Sequence, residues 1–207
     1  MLRQCPCGKS NVLNAALPQP PPAPDRAAVF DRERLEWLNG QWIRRLAPDD
    51  LIDRLRPFVE AELAAGRIEW MPPDEVIRAL LPVVQDRLPT LGAVGDLVGF
   101  LWVADVSVDA EILVPKRWDI VTTREGLTGA RETIASAGDV SFEADELEPR
   151  LRALAEERGW KAGDLFMAIR VAVTGRTATP PLFDTLVALG RERVLARLDR
   201  AIDVLSA

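Results

Sequence analysis

The sequence predicts an all-α protein, a two-part bundle or superhelix of short helices preceded by a proline-rich leader. Apolar residues recur at spacings of three and four along most of the chain, the period of a helix face. Proline and acidic residues open these stripes and glycine closes several of them, as expected of helix ends. No stretch alternates apolar and polar residues convincingly enough to read as a half-buried strand.

Residues 1–28 read as a flexible leader, because LPQPPPAPD favours extended backbone and lacks the amide hydrogens of helix or sheet. Residues 29–104 form the first helical part. It opens at FDRERLEWLNGQWIRRL, where Asp31 is placed to cap a helix and Phe30 and Leu35 to staple its start. Leu35, Leu38 and Trp42 mark one face, with Asn39-Gly40 a weak point inside it. LAPDDLIDRLRPFVEAEL starts on proline and two acids and stops near Gly66. The next helix enters through Pro72-Pro73-Asp74 and carries Val76, Ile77, Leu80, Leu81, Val84 and Leu88 on one stripe; Pro82 is expected to kink or split it. LVGFLWVADV reads as a buried helix end before a boundary near Asp105.

Residues 105–207 form the second part. Thr122 or Thr123 is placed to cap a helix that runs to about Ala137, and Ser141 precedes another that closes at Gly159. In GDLFMAIRVAVTG, Leu165, Ile169, Ala172 and Val173 share a side and Arg170 falls at its margin. Pro181 opens LFDTLVALG, and RERVLARLDRAIDVL presents Leu195, Leu198, Ile202 and Leu205. Trp37, Trp42, Phe58 and Trp102 are expected in the core, from their helical spacing and apolar neighbours. Trp160, beside Lys161, stays open between packing and stacking.

Composition excludes several classes. With 207 residues, 48% hydrophobic and 28% charged, the chain suits one or two globular domains. No apolar run approaches bilayer length and MLRQCPCGKSNVLNAALPQP has no signal-type core, so a cytoplasmic protein without a membrane partner is expected. A net charge of −6 argues against indiscriminate coating of nucleic acid, and no DNA partner is expected. Locally the balance reverses: Lys161, Arg170, Arg176, Arg191, Arg193, Arg197 and Arg200 outnumber Asp164, Asp184, Glu192 and Asp199. A solvated helix face would give the same pattern. The chain contains no histidine, which removes imidazole bases and His-dependent triads. Cys5 and Cys7 alone cannot complete a zinc site, so no metal is expected.

One segment remains unexplained by helix grammar. RVAVTGRTATPPLFD, residues 170–184, lacks phosphate-cradling glycines, yet it offers a guanidinium, hydroxyls, stiff prolines and a phenylalanine. Single-stranded RNA is read by such groups, on base edges and base faces.

AVFDRERLEWLNGQWIRRL, the later QDRLPTL, and above all LFMAIRVAVTGRTATPPLFDTLVALGRERVLARLDRAI closely resemble the C-terminal, anticodon-binding part of bacterial glutamyl-tRNA synthetase, a class I aminoacyl-tRNA synthetase. The segments keep that family's order and about its spacing over residues 28–205. The resemblance implies an all-helical structure in two subdomains and a partner, the anticodon loop of glutamate tRNA. It assigns Arg170, Thr179, Pro180, Leu182 and Phe183 to the first two anticodon bases, and Arg87, in QDRLPTL, to the third. Without the resemblance, Arg87 reads as a surface arginine paired with Asp86 or a nearby helix carbonyl.

The sequence departs from the family where the family does its chemistry. ATP and magnesium belong to the full-length family, whose ATP site uses a His-containing motif and a Lys-Met-Ser-Lys-like loop; neither occurs here, so no cofactor and no catalytic residue is expected in this chain. GKS at 8–10 lacks the glycine spacing of a phosphate loop. The expectation is a tRNA-binding chain that forms no glutamyl-tRNA alone and works as a fragment, a paralogue or a subunit beside a separate catalytic chain. A helical protein-interaction module is the alternative.

Overall fold

Local chemistry sets most helix ends in the computed structural model, which describes residues 31–136 and 142–206. The helices are α1 (Arg32–Ile43), α2 (Pro48–Ala64), α3 (Asp74–Val84), α4 (Val94–Val98), α5 (Ala110–Leu113), α6 (Ile120–Ser136), α7 (Ala144–Glu157), α8 (Ala162–Thr174), α9 (Leu182–Leu189) and α10 (Arg191–Val204). Short 3-10 turns follow α3 at Gln85–Arg87, precede α4 at Leu91–Ala93 and follow it at Gly99–Trp102. There is no strand among the described residues, and the all-α expectation holds. The cysteines of the leader, Phe30 of the staple and Ser141 lie outside the described residues.

Pro48 occupies the first turn of α2, followed by Asp49 and Asp50, where acids meet the positive helix end. Gly159 has φ +68°, and Trp160 donates to the Ala155 carbonyl, closing α7 as expected. Gly190 joins α9 to α10 with no other residue between them; its φ of 79° and ψ of 150° lie where a side chain is hardly tolerated.

Five expectations need correction. α3 does not split at Pro82 but runs to Val84 before tightening into the 3-10 turn. Pro82 is exposed, as are Pro57 in α2 and Pro149 in α7. On a solvent face a proline removes one helix bond, and water can satisfy the freed carbonyl. α6 is capped by Asp119 rather than by Thr122 or Thr123: the Thr122 amide donates to Asp119 Oδ1 at 2.7 Å. That hydrogen bond holds the Asp119 carboxyl below its usual range.

The α1 stripe is also different, because α1 meets the core through its last turn, by Gly40 and Ile43. Leu35 is 43% exposed, and Leu38 and Trp42 are half-buried. Among the aromatics, Trp102 is in the core, whereas Trp37 is 53% and Phe58 40% exposed. Finally, α10 is rotated from its expected face. Val194, Arg197, Leu198 and Ala201 are buried, while Leu195 and Ile202 are only partly covered.

Residues 33–207 form one compact unit. α10 lies against α6 and α8, α6 against α7 and α8, and α7 against α9; α2 packs on α3 and α4, and α3 meets α9. The fully buried leucines Leu51, Leu113, Leu127, Leu147, Leu151 and Leu165 belong to one core cluster. Each removes apolar surface from water worth about 1.5–3 kcal/mol.

Candidate nucleic-acid interface

The loop between α8 and α9 begins where Gly175 stops α8 with φ +67°. A Cβ at Gly175 would stand 2.6 Å from the Ser107 carbonyl oxygen, so the backbone passes there too closely for any other residue. Thr174 Oγ1 donates back to the Arg170 carbonyl at 2.7 Å and accepts from the Arg176 amide at 3.2 Å. Arg170, half-buried on the last turns of α8, reaches over this turn. Its Nη1 donates to Thr179 Oγ1 and to the Pro180 carbonyl at 3.1 Å, with the Thr179 carbonyl at 3.4 Å. Burial lowers the pKa of this guanidinium.

These contacts leave defined capacity unused. Nε and Nη2 of Arg170 have no hydrogen-bond partner among the described residues. The Thr179 hydroxyl donates to the Pro180 carbonyl at 3.0 Å and accepts from Arg170, which leaves one lone pair. Pro180 is buried, and Pro181 sets the N-cap of α9, its carbonyl receiving Thr185 Oγ1 at 2.9 Å. Leu182 points into the core at 4% exposure. Phe183 is half-buried, edge-on to Phe166 with centroids 5.1 Å apart, and Arg152 lies 5.5 Å over the Phe166 ring.

Arg87 belongs to a second patch, at the 3-10 turn that ends α3. It is exposed, and its Nη1 donates to the Val83 carbonyl at 2.7 Å. The turn is held on α1 from both sides. Gln85 Nε2 donates to the Ile43 and Leu46 carbonyls at 2.8 and 3.0 Å, and Arg44 Nη2 donates to the Asp86 carbonyl at 3.2 Å. Asp86 is thus the partner of Arg44, at 3.8 Å, and not of Arg87. Trp37, Arg44, Arg87 and Pro89 help to line a recess of about 180 Å³.

A groove runs between α3 and α9. Val83, whose carbonyl holds Arg87, lines it with Leu80 of α3 and with Asp184 and Val187 of α9, the helix that follows the loop. Arg170, Thr179 and Pro180 are brought together by direct bonds; Phe183 and Leu182 start the adjoining helix, and Arg87 stands in the recess by α1.

Most of the basic C-terminal residues turn out to cap backbone. Arg197, 1% exposed, donates to the Val173, Phe100 and Val103 carbonyls at 2.6, 2.9 and 2.6 Å. Desolvation, then the positive charge of Arg193, brings its pKa down to about 10. Arg193 donates to the Leu101 carbonyl at 2.7 Å and lies 5.4 Å over the Trp70 ring. Arg176 bonds the Asp96 carbonyl, Arg191 the Ala135 carbonyl, and Arg200 pairs with Asp105. The local excess of arginine therefore fixes the 96–105 segment against α8 and α10 more than it lines a phosphate track. Sequence reasoning missed Arg197, since an arginine in a helical stripe gives no sign of burial. It also placed Trp37 in the core, whereas the side chain is 53% exposed.

Among the described residues, no three His, Cys, Asp or Glu side chains are grouped as a metal site, and no helix is long and apolar enough to cross a membrane.

Residues 50–202 match a family model described as an anticodon binding domain. The chain is 44% identical over 189 residues to the glutamate–tRNA ligase of Roseiflexus castenholzii, covering 90% of this chain and 36% of that protein. It is 34% identical over 180 residues to the glutamate–tRNA ligase of Dehalococcoides mccartyi, covering 87% and 36%. The chain thus spans about a third of the length of the curated relatives it matches. In fold it is similar to the crystal structure of a glutamate tRNA ligase from Elizabethkingia meningosepticum, with a TM-score of 0.69 at 22% identity, covering 85% of this chain and 33% of that one.

Proposed function

The chain belongs to the anticodon binding domain family, and from that premise we propose that it binds tRNA by the anticodon loop, with glutamate tRNA as its cognate partner. The observation that carries the reading is the Arg170 guanidinium stitched to Thr179 and Pro180. A loop fixed before binding loses little ordering entropy when a base docks on it, and the unused Nε, Nη2 and hydroxyl lone pair are hydrogen-bonding groups suited to base edges. Thr179 and Pro180 present the turn, Phe183 supplies partly exposed aromatic surface, and Leu182 supports them from the core side.

Arg87, in the 29–104 part, serves the third anticodon base, while the loop, in the 105–207 part, serves the first two. Glutamate and glutamine anticodons differ at that third base, C against G, so one guanidinium there sets the preference. A well-aligned arginine contact is worth about 1–3 kcal/mol of base discrimination. Binding of this kind requires no cofactor. Charging the tRNA would fall to a catalytic region or a separate chain carrying the ATP motifs, in the cytoplasm.

The test measures the affinity of the purified chain for glutamate and glutamine tRNA. The wild type is expected to prefer glutamate tRNA by roughly ten- to a hundredfold. Arg87→Ala should erase the preference, and Arg170→Ala should weaken binding to both tRNAs with the helical spectrum unchanged. Equal affinities for both tRNAs in all three proteins would overturn the proposal. A protein-interaction module is the competing reading, favoured by the apolar groove between α3 and α9. Ionic strength separates the two, because a tRNA complex weakens steeply with salt and an apolar interface does not.

A further inference from the structure

Among the arginines from 170 to 200, Arg176 is the exposed one that has no carboxylate partner. It is nonetheless held in place. Its Nη1 donates to the Asp96 carbonyl, and its guanidinium lies 5.7 Å over the ring of Phe100, itself buried in the core. Nε and Nη2, the two donors along one edge of the guanidinium, have no partner among the described residues. Arg176 lines a recess of about 270 Å³ together with Arg67, Asp105 and Ser107. The other two charges in it are already matched: Asp105 pairs with Arg200, and Arg67 holds Glu62 through Nε and Nη2 at 2.7 Å each. The Ser107 hydroxyl is exposed and bonds no described residue. Its backbone is fixed against the loop, because Gly175 passes the Ser107 carbonyl too closely to carry a side chain.

An open edge of two N–H donors, fixed in direction and always charged, matches a pair of phosphate oxygens. We propose that Arg176 and the Ser107 hydroxyl bind one phosphodiester of the RNA strand whose bases dock where Arg170 is stitched to Thr179. The inference rests on the reading of that loop as the anticodon site. Arg176 and Thr179 are three residues apart, at most about 11 Å of chain, and an RNA strand carries a charge at every nucleotide, so a strand docked at Thr179 brings phosphates past Arg176. The two ends of the loop then do different work: the Arg170 end meets base edges, and Arg176 holds the strand without regard to sequence.

The probe is a glutamate-tRNA anticodon stem-loop, titrated with the purified chain over a range of salt concentrations. Arg176→Gln keeps an amide donor for the Asp96 carbonyl and removes the charge. It is expected to bind roughly five- to tenfold more weakly at low salt, and the slope of log affinity against log salt should be shallower by about 0.7, the value for one phosphate of a single strand. Arg176→Lys, which keeps the charge and loses the paired donors, should recover the slope and part of the affinity. In a scan that replaces one linkage at a time by a neutral methylphosphonate, one position should weaken the wild type and leave Arg176→Gln unchanged. If Arg176→Gln keeps the wild-type slope and every methylphosphonate affects both proteins alike, Arg176 binds no phosphate, even where affinity falls because the loop has shifted. Should Arg170→Ala still weaken binding in that case, the loop reading survives without the phosphate site. If neither Arg170→Ala nor Arg176→Gln changes binding, the loop reading fails and takes the phosphate site with it.

Discussion

Replacing Arg197 removes donors from three carbonyls at once, those of Val173, Phe100 and Val103. Buried carbonyls without donors each cost about 1–3 kcal/mol, partly offset because a buried cation is also removed. Arg197→Met is therefore expected to destabilise the chain by about 2–5 kcal/mol in urea unfolding, a loss that would leave little of a typical domain's stability. Arg197→Lys should recover only part of it, because a compact ammonium lacks the guanidinium's fork. A midpoint unchanged in both variants would contradict the capping role. Neither Arg197 nor Trp37 was legible in the sequence, and for the same reason. Each sits on an amphipathic helix where a rotation of one residue, about 100°, decides between core and solvent. Partner helices fix that rotation, and the periodicity of one helix does not contain them.

Helices as elements were more legible, because their ends are determined by nearby residues. Pro48 with two following acids, Gly159 at the end of α7 and Pro181 before α9 all act where they were expected to act. The misassigned cap of α6 shows the limit of such signals. Asp119, Thr122 and Thr123 are all competent caps, and the chosen one depends on the preceding Pro115–Trp118 turn. Because its folded pKa is lowered, Asp119 stabilises the chain above the ordinary carboxylate value of 3.8, and that contribution is lost as pH falls through the folded value. Asp119→Ala should thus melt at a lower temperature than the wild type at neutral pH, with the gap closing below pH 3.8. A gap that persists unchanged into acid would show that the carboxylate is not the cap.

At the scale of the whole molecule, α10 holds the 96–105 segment through Arg193, Arg197 and Arg200, while α3 meets α9. The Arg87 recess and the Arg170 loop belong to one compact unit, 33–207. The loop was legible as a segment because its proline, threonine and arginine content lies within fifteen consecutive residues of sequence. Its internal stitching was not, since nothing in the pattern says that Arg170 bonds the loop's own hydroxyl and carbonyl. The proposed two-patch grip predicts where a tRNA is covered. The direct measurement is ribonuclease protection of a glutamate-tRNA transcript by the purified chain. Protection confined to the anticodon loop, and reduced at that loop by Arg170→Ala, is the predicted result. A bound tRNA whose anticodon loop remains fully open to cleavage would contradict the account.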